Sequence, residues 1–423
     1  MNKKQNSGKN FTHRIEVKGH LIDSMILSRI FDRIMDLKGE FEVEQFNIGR
    51  KTGDYSYARL LVRGRTQSHL SKMLEEIYRD GAIPVKLEIV QYQIAPNDKV
   101  LPDNFYSTTN NPTYVFIDDD WIEVENQMMD KAIMLDWKNH RAECKPIQEV
   151  KKGDVIVIGE TGIKVVPPER PREGVGVFQF MSSQSSIEKP TQTISQRIAE
   201  DIFKTKQQGG KVVVVAGPAV VHTGADTSLA KLIKDGYVDS LLTGNALAVH
   251  DVEYSLFGTS LGLNLADGTL ASRGHRNHIE AINEVFKAGS LEKMLQKGRL
   301  KSGIIYECIK NNVPYILAGS IRDDGPLPGV ITDSVQAQLA YKQVLKDVNV
   351  VLMLSTMLHS IAVGNLLPST VKVIAVDITP SSVTKLLDRG SGQAVGLVSD
   401  VGTFLPLLVN FLDKLTQGYT GTE

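Results

Sequence analysis

The sequence predicts an α/β protein in which a doubly wound, mostly parallel sheet forms the C-terminal half, preceded by an N-terminal ferredoxin-like α+β domain and a small β module. Three observations predict it. Between residues 11 and 92, runs of period 2 and period 3.6 follow one another as β-α-β-β-α-β, the order of a ferredoxin-like sandwich. From 93 to 182 the helical period fades, and short β-rich runs are parted by Pro, Gly and Asn. Over 194–423, six runs rich in β-branched residues lie between helical stretches. Continuous apolar strands of that kind are buried on both faces, as in a parallel sheet covered by helices.

The elements follow in order. "THRIEVKGHL" (12–21), "EFEVEQFNIG" (40–49) and "YSYARLLVRG" (55–64) read as strands, and "PVKLEIVQY" (84–92) as a fourth. "DSMILSRIFDRIMDLKG" (23–39) spaces Met25, Ile26, Ile30, Ile34 and Met35 as a helix, with cap chemistry at Asp23 and Ser24 and a stop at Gly39. "SHLSKMLEEIYRDGA" (68–82) is a second helix ended by Gly81. The β module is carried by "PTYVFIDDDWIEVE" and "GDVIVIGETGIKVVP". A segment rich in Pro, Gly and Ser (167–192) marks the main boundary, and "ISQRIAEDIFKTKQQ" (194–208) is the helix that opens the last domain. Its strands are expected at 211–217, 238–244, 314–320, 349–354, 371–377 and 394–400.

Composition narrows the function classes. The 423 residues are enough for two or three cores, and 42% hydrophobic with 23% charged residues is a globular balance. Forty-eight basic against forty-nine acidic side chains give no electrostatic reason to expect nucleic acid or a membrane as partner. The basic start lacks the apolar run of a signal peptide, and no membrane-length apolar stretch follows. Two cysteines fit a reducing cytoplasm, where the protein is expected to be soluble.

In open parallel sheets ligands sit beyond the carboxyl ends of the strands. Here each strand stops at a loop of small polar residues: "GPAVVHTGAD", "TGNALA", "GSIRDDGPLPG", "STMLHS", "DITPS" and "SDVGT". Such loops expose backbone N–H groups and helix dipoles to an anion such as a dinucleotide's pyrophosphate. Ser355, Thr356 and His359 therefore stand at the rim of the sheet. Asp377, closing "VIAVD", suits a ribose hydroxyl pair and disfavours a 2′-phosphate, which points to NAD over NADP. Turn and cap chemistry accounts for any one loop, and no G-x-G-x-x-G follows a strand; six such loops at one edge favour a nucleotide site.

Two further constellations offer chemistry. "DGTLASRGHRNHIEA" (267–281) carries His275, His278 and Glu280 between and beside Arg273 and Arg276, a set suited to a substrate carboxylate; no third ligand is placed to make a metal site, and none is expected. Adjacent Asp323 and Asp324 in "AGSIRDDGPLPG" suit a general base or an ammonium ligand, and also ordinary turn initiation. Cys144, next to His140 and Arg141 in "NHRAECKPI", reads as an inert thiol more readily than as a nucleophile.

"TGNALAVHDVE", "GHRNH", "AGSIRDDGPLPGV", "STMLHSIAVGNLLP" and "AVDITPSSVTKLLDRGS", with the N-terminal β-α-β-β-α-β, resemble the family named for a region shared with lysine-oxoglutarate reductase/saccharopine dehydrogenase (LOR/SDH). Its archaeal members are NAD-dependent ornithine cyclodeaminases, and the resemblance runs through nearly the whole chain from residue 11. It implies a C-terminal domain like the NAD fold of deoxyhypusine synthase, which accounts for the missing glycine fingerprint. It also implies NAD contacts at Asn245, Ala246, Asp324, Thr356, Met357, Leu358, His359, Asp377, Asp400 and Val401. The implied reaction turns ornithine into proline and ammonia, with NAD recycled by internal hydride return. Asp323, His275 and His278 are then candidates to move protons, and Arg322, with Arg273 and Arg276, to fix the substrate carboxylate. A net saccharopine-type dehydrogenase and a non-catalytic NAD and amino-acid sensor are the rival readings. An arginine-processing activity, as in larger fused relatives, is not expected, because no domain precedes residue 11. A homo-oligomer, dimer or tetramer, is expected.

Overall fold

A computed structural model describes residues 11–21, 25–49, 54–86, 88–167, 191–265, 269, 277–388 and 394–420, in two compact units, 1–178 and 179–423. The first unit begins with β1 (Phe11–Gly19), α1 (Ile26–Asp36), β2 (Glu40–Asn47), β3 (Ser56–Gly64), α2 (Gln67–Arg79) and β4 (Ile83–Pro84). Its sheet has the order β2-β3-β1-β4 with antiparallel neighbours, the split βαβ arrangement expected of a ferredoxin-like sandwich. Strict alternation decides which face is buried: Ala58, Leu60 and Val62 of β3 point inward beside Ile15 and Val17 of β1. Ile30 and Ile34 of α1 and Met73 and Ile77 of α2, spaced three and four apart, close the core over them.

Two expectations here need correction. The fourth strand does not run from 84 to 92. Pro84 has no N–H with which to extend the ladder, so pairing with β1 stops there, and Tyr92–Ile94 forms β5 of the next sheet. Gly39 does not supply the left-handed stop of α1. Lys38 does, with φ 59°, and Gly39 instead leaves room for Met73, whose Sδ would lie 2.1 Å from a Cβ there and would have to shift. The cap expected at Asp23 and Ser24 lies outside the described residues.

The second sheet adds β6 (Thr113–Ile117), β7 (Asp120–Glu125), β8 (Ala132–Asp136), β9 (Arg141–Lys145), β10 (Val155–Val157) and β11 (Ile163–Val165), in the order β11-β6-β7-β9-β8-β10-β5. Cys144 on β9 is fully buried, 3.6 Å from the Met128 carbonyl oxygen, while His140 and Arg141 face Asp118 and Glu125. A thiol in that setting is core material.

The second unit runs α3 (Thr191–Gln207), β12 (Lys211–Ala216), α4 (Ala219–His222), α5 (Asp226–Lys234), β13 (Ser240–Gly244), α6 (Asn245–Phe257), β14 (Thr259–Ser260), β15 (Leu263–Asn264), α7 (Asn277–Ala288), α8 (Leu291–Gln296) and α9 (Ile304–Lys310). It continues with β16 (Tyr315–Ala318), α10 (Ser334–Val344), β17 (Val348–Leu354), α11 (Met357–Gly364), β18 (Lys372–Asp377), α12 (Pro380–Asp388), β19 (Val395–Val398) and α13 (Val401–Thr420). The six long strands form one sheet, β16-β13-β12-β17-β18-β19, parallel throughout. Numbered within the unit this is 3-2-1-4-5-6, the doubly wound order whose direction reverses between β12 and β17. Val213, Val215, Leu352 and Ile374 are buried because helices cover both faces, and the apolar runs in the sequence were continuous for that reason. No helix among the described residues is long and apolar enough to cross a membrane.

Candidate active site

At the switch point the loops leaving β12 and β17 press together. Gly217 donates its N–H to the Leu354 carbonyl at 2.9 Å, and a Cβ on Gly217 would stand 2.2 Å from the Ser355 carbonyl oxygen. Only glycine permits that approach. Ser355 takes a left-handed backbone, φ 45°, and its buried hydroxyl has no hydrogen-bond partner among the described residues. Thr356 occupies the N-cap of α11 without capping it; its hydroxyl pairs instead with His359 Nδ1 at 3.1 Å. The first N–H groups of α11 are thus left for an anion at the positive end of the helix dipole. A glycine cradle, an unpaired buried hydroxyl and an uncapped helix start are what a dinucleotide's pyrophosphate requires, so these residues fit that group.

The loops after β13 and β16 close one side. The Asn245 side chain accepts the Leu327 N–H at 3.0 Å and donates to the Gly325 carbonyl at 3.3 Å, binding the two loops to each other. With its amide occupied, Asn245 has the backbone N–H to offer a ligand, as does Ala246. His359 reaches across from α11, and a Cβ at Gly244 would meet its Cε1 at 2.9 Å. Burial lowers the pKa of His359 against the opposing charge of Asp323, so the ring is neutral at neutral pH. Asp323 accepts the Ser320 N–H at 2.8 Å and so closes its own turn, while Asp324 lies 3.4 Å from His278 Nε2. Arg322 follows the fully exposed Ile321 on that turn.

The loops after β18 and β19 close the other side. Asp377 accepts the Thr379 N–H at 2.8 Å through Oδ1, which leaves Oδ2 for a ribose hydroxyl. Asp400 accepts the Gly402 N–H at 3.2 Å and its carbonyl takes the Phe404 N–H, starting α13 with Val401 buried behind it. Leu358 and Ile378 stand exposed beside these groups, apolar surfaces on which a flat ring can lie. Met357 is exposed next to them.

The sequence-derived candidates are thus gathered at one edge of one sheet, on both sides of its switch point. His275, Arg273 and Arg276 lie outside the described residues. Among the described residues no group of three or more His, Cys, Asp or Glu is placed to hold a metal. Sequence reasoning passed over His222, His250 and Glu253, which pack together beside the β12 loop. Their sequence signals were the i, i+3 spacing of His250 and Glu253 in a helix and their places in "GPAVVHTGAD" and "TGNALAVHDVE".

Three family patterns match the chain in succession. They are the LOR/SDH bifunctional enzyme conserved region over 12–111, the first region of the arginine dihydrolase ArgZ-like C-terminal part over 112–195, and its Rossmann fold over 196–408. The ornithine cyclodeaminase of Methanocaldococcus jannaschii is 53% identical over 98% of this chain and 99% of its own length. A LOR/SDH protein of Methanococcus maripaludis of known structure is 50% identical, with a TM-score of 0.74 over 78% of this chain and all of that one. AgrE, the bifunctional arginine dihydrolase/ornithine cyclodeaminase of a Nostoc species, has been crystallised with ornithine and NAD+. That structure is 41% identical, with a TM-score of 0.53, and the match covers 97% of this chain but 59% of AgrE.

Proposed function

The chain belongs to the family of the LOR/SDH conserved region and the ArgZ-like C-terminal fold, and on that premise we propose that it is an NAD-dependent ornithine cyclodeaminase, an ammonia-lyase that converts L-ornithine to L-proline. The observation that carries the reading is the 3-2-1-4-5-6 parallel sheet with a dinucleotide cradle at its switch point. Bound NAD supplies an acceptor that takes the Cα hydrogen of ornithine as hydride and gives it back after ring closure, so no net oxidation results.

The chain's own residues have three tasks. The N–H groups opening α11, with Gly217 beneath them, hold the pyrophosphate, and Asp377 holds the ribose and excludes a 2′-phosphate. Asn245, Ala246, Asp324, Thr356, Met357, Leu358, His359, Asp400 and Val401 complete the pocket wall. Arg322, Arg273 or Arg276 anchors the substrate carboxylate, and His278, His275 or Asp323 holds or moves protons at the substrate. The imine must also be kept from water, since hydrolysis would divert it to a keto acid.

The test is direct. Purified protein given ornithine and catalytic NAD should release ammonia and proline in equal amounts with no lasting rise in absorbance at 340 nm. Sustained NADH would mean a net dehydrogenase, and tight binding without turnover a sensor. Two buried cysteines, too few for a disulfide framework, suit a reducing compartment, so we place the protein in the cytoplasm, as a homo-oligomer supplying proline.

A further inference from the structure

A buried acid and two imidazoles fill the space between the β12 loop, α6 and the β14–β15 hairpin. Glu253 is fully buried and accepts from Thr259 Oγ1 at 2.9 Å, Gly262 N at 3.1 Å, Leu261 N at 3.2 Å and His250 Nδ1 at 2.9 Å. Burial works to raise its pKa, but the bonds from His250, Gly262 and Thr259 outweigh it and hold the carboxyl below the ordinary range. An ionised carboxylate only accepts, so the His250 proton sits on Nδ1. The His250 ring stands edge-on to His222, centroids 4.6 Å apart, and Nδ1 of His222 is 2.7 Å from Ser260 Oγ.

This arrangement is more than core filling. Leu261 and Gly262, at φ 53° and 75°, make a two-residue turn whose left-handed first position ordinarily takes Asn, Asp or Gly. Both their N–H groups end on Glu253, and Asn277, the first residue of α7, donates to Thr259 Oγ1 at 2.8 Å. One buried carboxylate therefore fixes a strained hairpin whose Ser260 orients a histidine. That histidine ends α4, the first turn beyond the carboxyl end of the switch-point strand. Burial, and then the nearness of His250, push the His222 pKa down to about 4 against Glu253, so it is a neutral ring at neutral pH.

We propose that His222 is a further catalytic residue, the base that takes the proton from the substrate's α-ammonium, and that Ser260, His250 and Glu253 are positioning residues that fix its tautomer. Nδ1–H donates to Ser260 Oγ, which leaves the Nε2 lone pair free to take a proton. Nε2 takes one proton from the α-ammonium, and the freed nitrogen lone pair forms C=N as the Cα hydrogen departs as hydride to NAD. The δ-amine then adds to that carbon. The ring nitrogen so formed passes a proton to the α-nitrogen, which leaves as ammonia; the hydride returns to Cα, and the proton held on Nε2 ends on the proline nitrogen. Protons and electrons balance over the cycle.

The inference rests on the cyclodeaminase reading, and the experiment separates the two. Wild type, His222→Asn, Glu253→Gln and Ser260→Ala are compared for ornithine turnover, NAD affinity by titration calorimetry, and melting temperature. In the wild-type holoenzyme, 15N shifts of the histidines report the tautomer. Expected are a kcat for His222→Asn lower by at least about 100-fold with NAD affinity within threefold, the size of a lost general base. Glu253→Gln and Ser260→Ala should shift the acid limb of the kcat pH profile without abolishing NAD binding, and His222 should carry its proton on Nδ1. A kcat for His222→Asn within tenfold of wild type, or a proton on Nε2 in the wild-type spectrum, overturns the proposal and leaves the reading standing. A wild type that binds both ligands without turnover overturns both. The wild-type tautomer decides the matter even if a variant does not fold.

Discussion

Replacing Gly217 by alanine tests the dinucleotide cradle at its tightest point. The added Cβ would lie 2.2 Å from the Ser355 carbonyl oxygen and 3.0 Å from Thr356 Cβ, against an ordinary contact of 3.4 Å or more. The first of these neighbours is backbone, so no side-chain rotation relieves the overlap, and the β12 and β17 loops must part by about 1 Å. Parting them strains the 2.9 Å bond from Gly217 N to the Leu354 carbonyl. Overpacking of about 1–3 kcal/mol plus a hydrogen bond worth about 1 kcal/mol gives an expected destabilisation of about 2–4 kcal/mol. The same shift carries the first N–H groups of α11 out of reach of a phosphate, so NAD should bind at least about tenfold more weakly for each charge-assisted bond lost. Urea unfolding and titration calorimetry measure the two effects. Gly364→Ala in α11, where the nearest atom is Met353 Cε at 3.9 Å, is the control. A Gly217→Ala protein with the wild-type midpoint and NAD affinity would refute the close approach and the cradle built on it.

Asp377→Ala should weaken NAD binding by about 1–3 kcal/mol by calorimetry while leaving the unfolding midpoint nearly unchanged, because Thr379 N then turns to water. Asp251→Ala should do the opposite: its two oxygens take the N–H groups of Ile304 and Ile305 at 2.8 Å in a fully buried site, and each orphaned donor costs about 1–3 kcal/mol in urea unfolding. Stability should fall as pH drops from 6.5 to about 4. In that window His222 takes a proton readily in the unfolded chain and not in the folded one, whereas above 6.5 it contributes no pH dependence. His222→Asn should flatten that part of the curve measured by urea midpoint.

The strands of the nucleotide-binding unit were legible because burial on both faces leaves uninterrupted β-branched runs, and five of the six expected spans enclose the observed ones, the sixth starting one residue early at Val348. Their lateral order was not legible, since pairing partners up to 138 positions apart, such as Val212 and Val350, share no local pattern. Strand 84–92 was misjudged because apolar alternation continues past Pro84 after the ladder ends, and β8 and β9 were not resolved individually within the β module. The rim loops announced themselves by composition. What each side chain does there was hidden: Asn245 spends its amide on Gly325 and Leu327, 80 and more residues away. The acid–imidazole group stayed hidden for the same reason, its members coming from α4, α6 and the β14–β15 hairpin.

Ornithine deuterated at Cα gives the most direct measurement of the central claim, that a resident NAD takes one hydride and returns it to the same molecule. Turnover in ordinary water, followed by mass spectrometry and NMR of the product, should yield proline with deuterium retained at Cα and NAD unlabelled at the end. Proline carrying solvent hydrogen at Cα, or deuterium accumulating in free NADH, would contradict it.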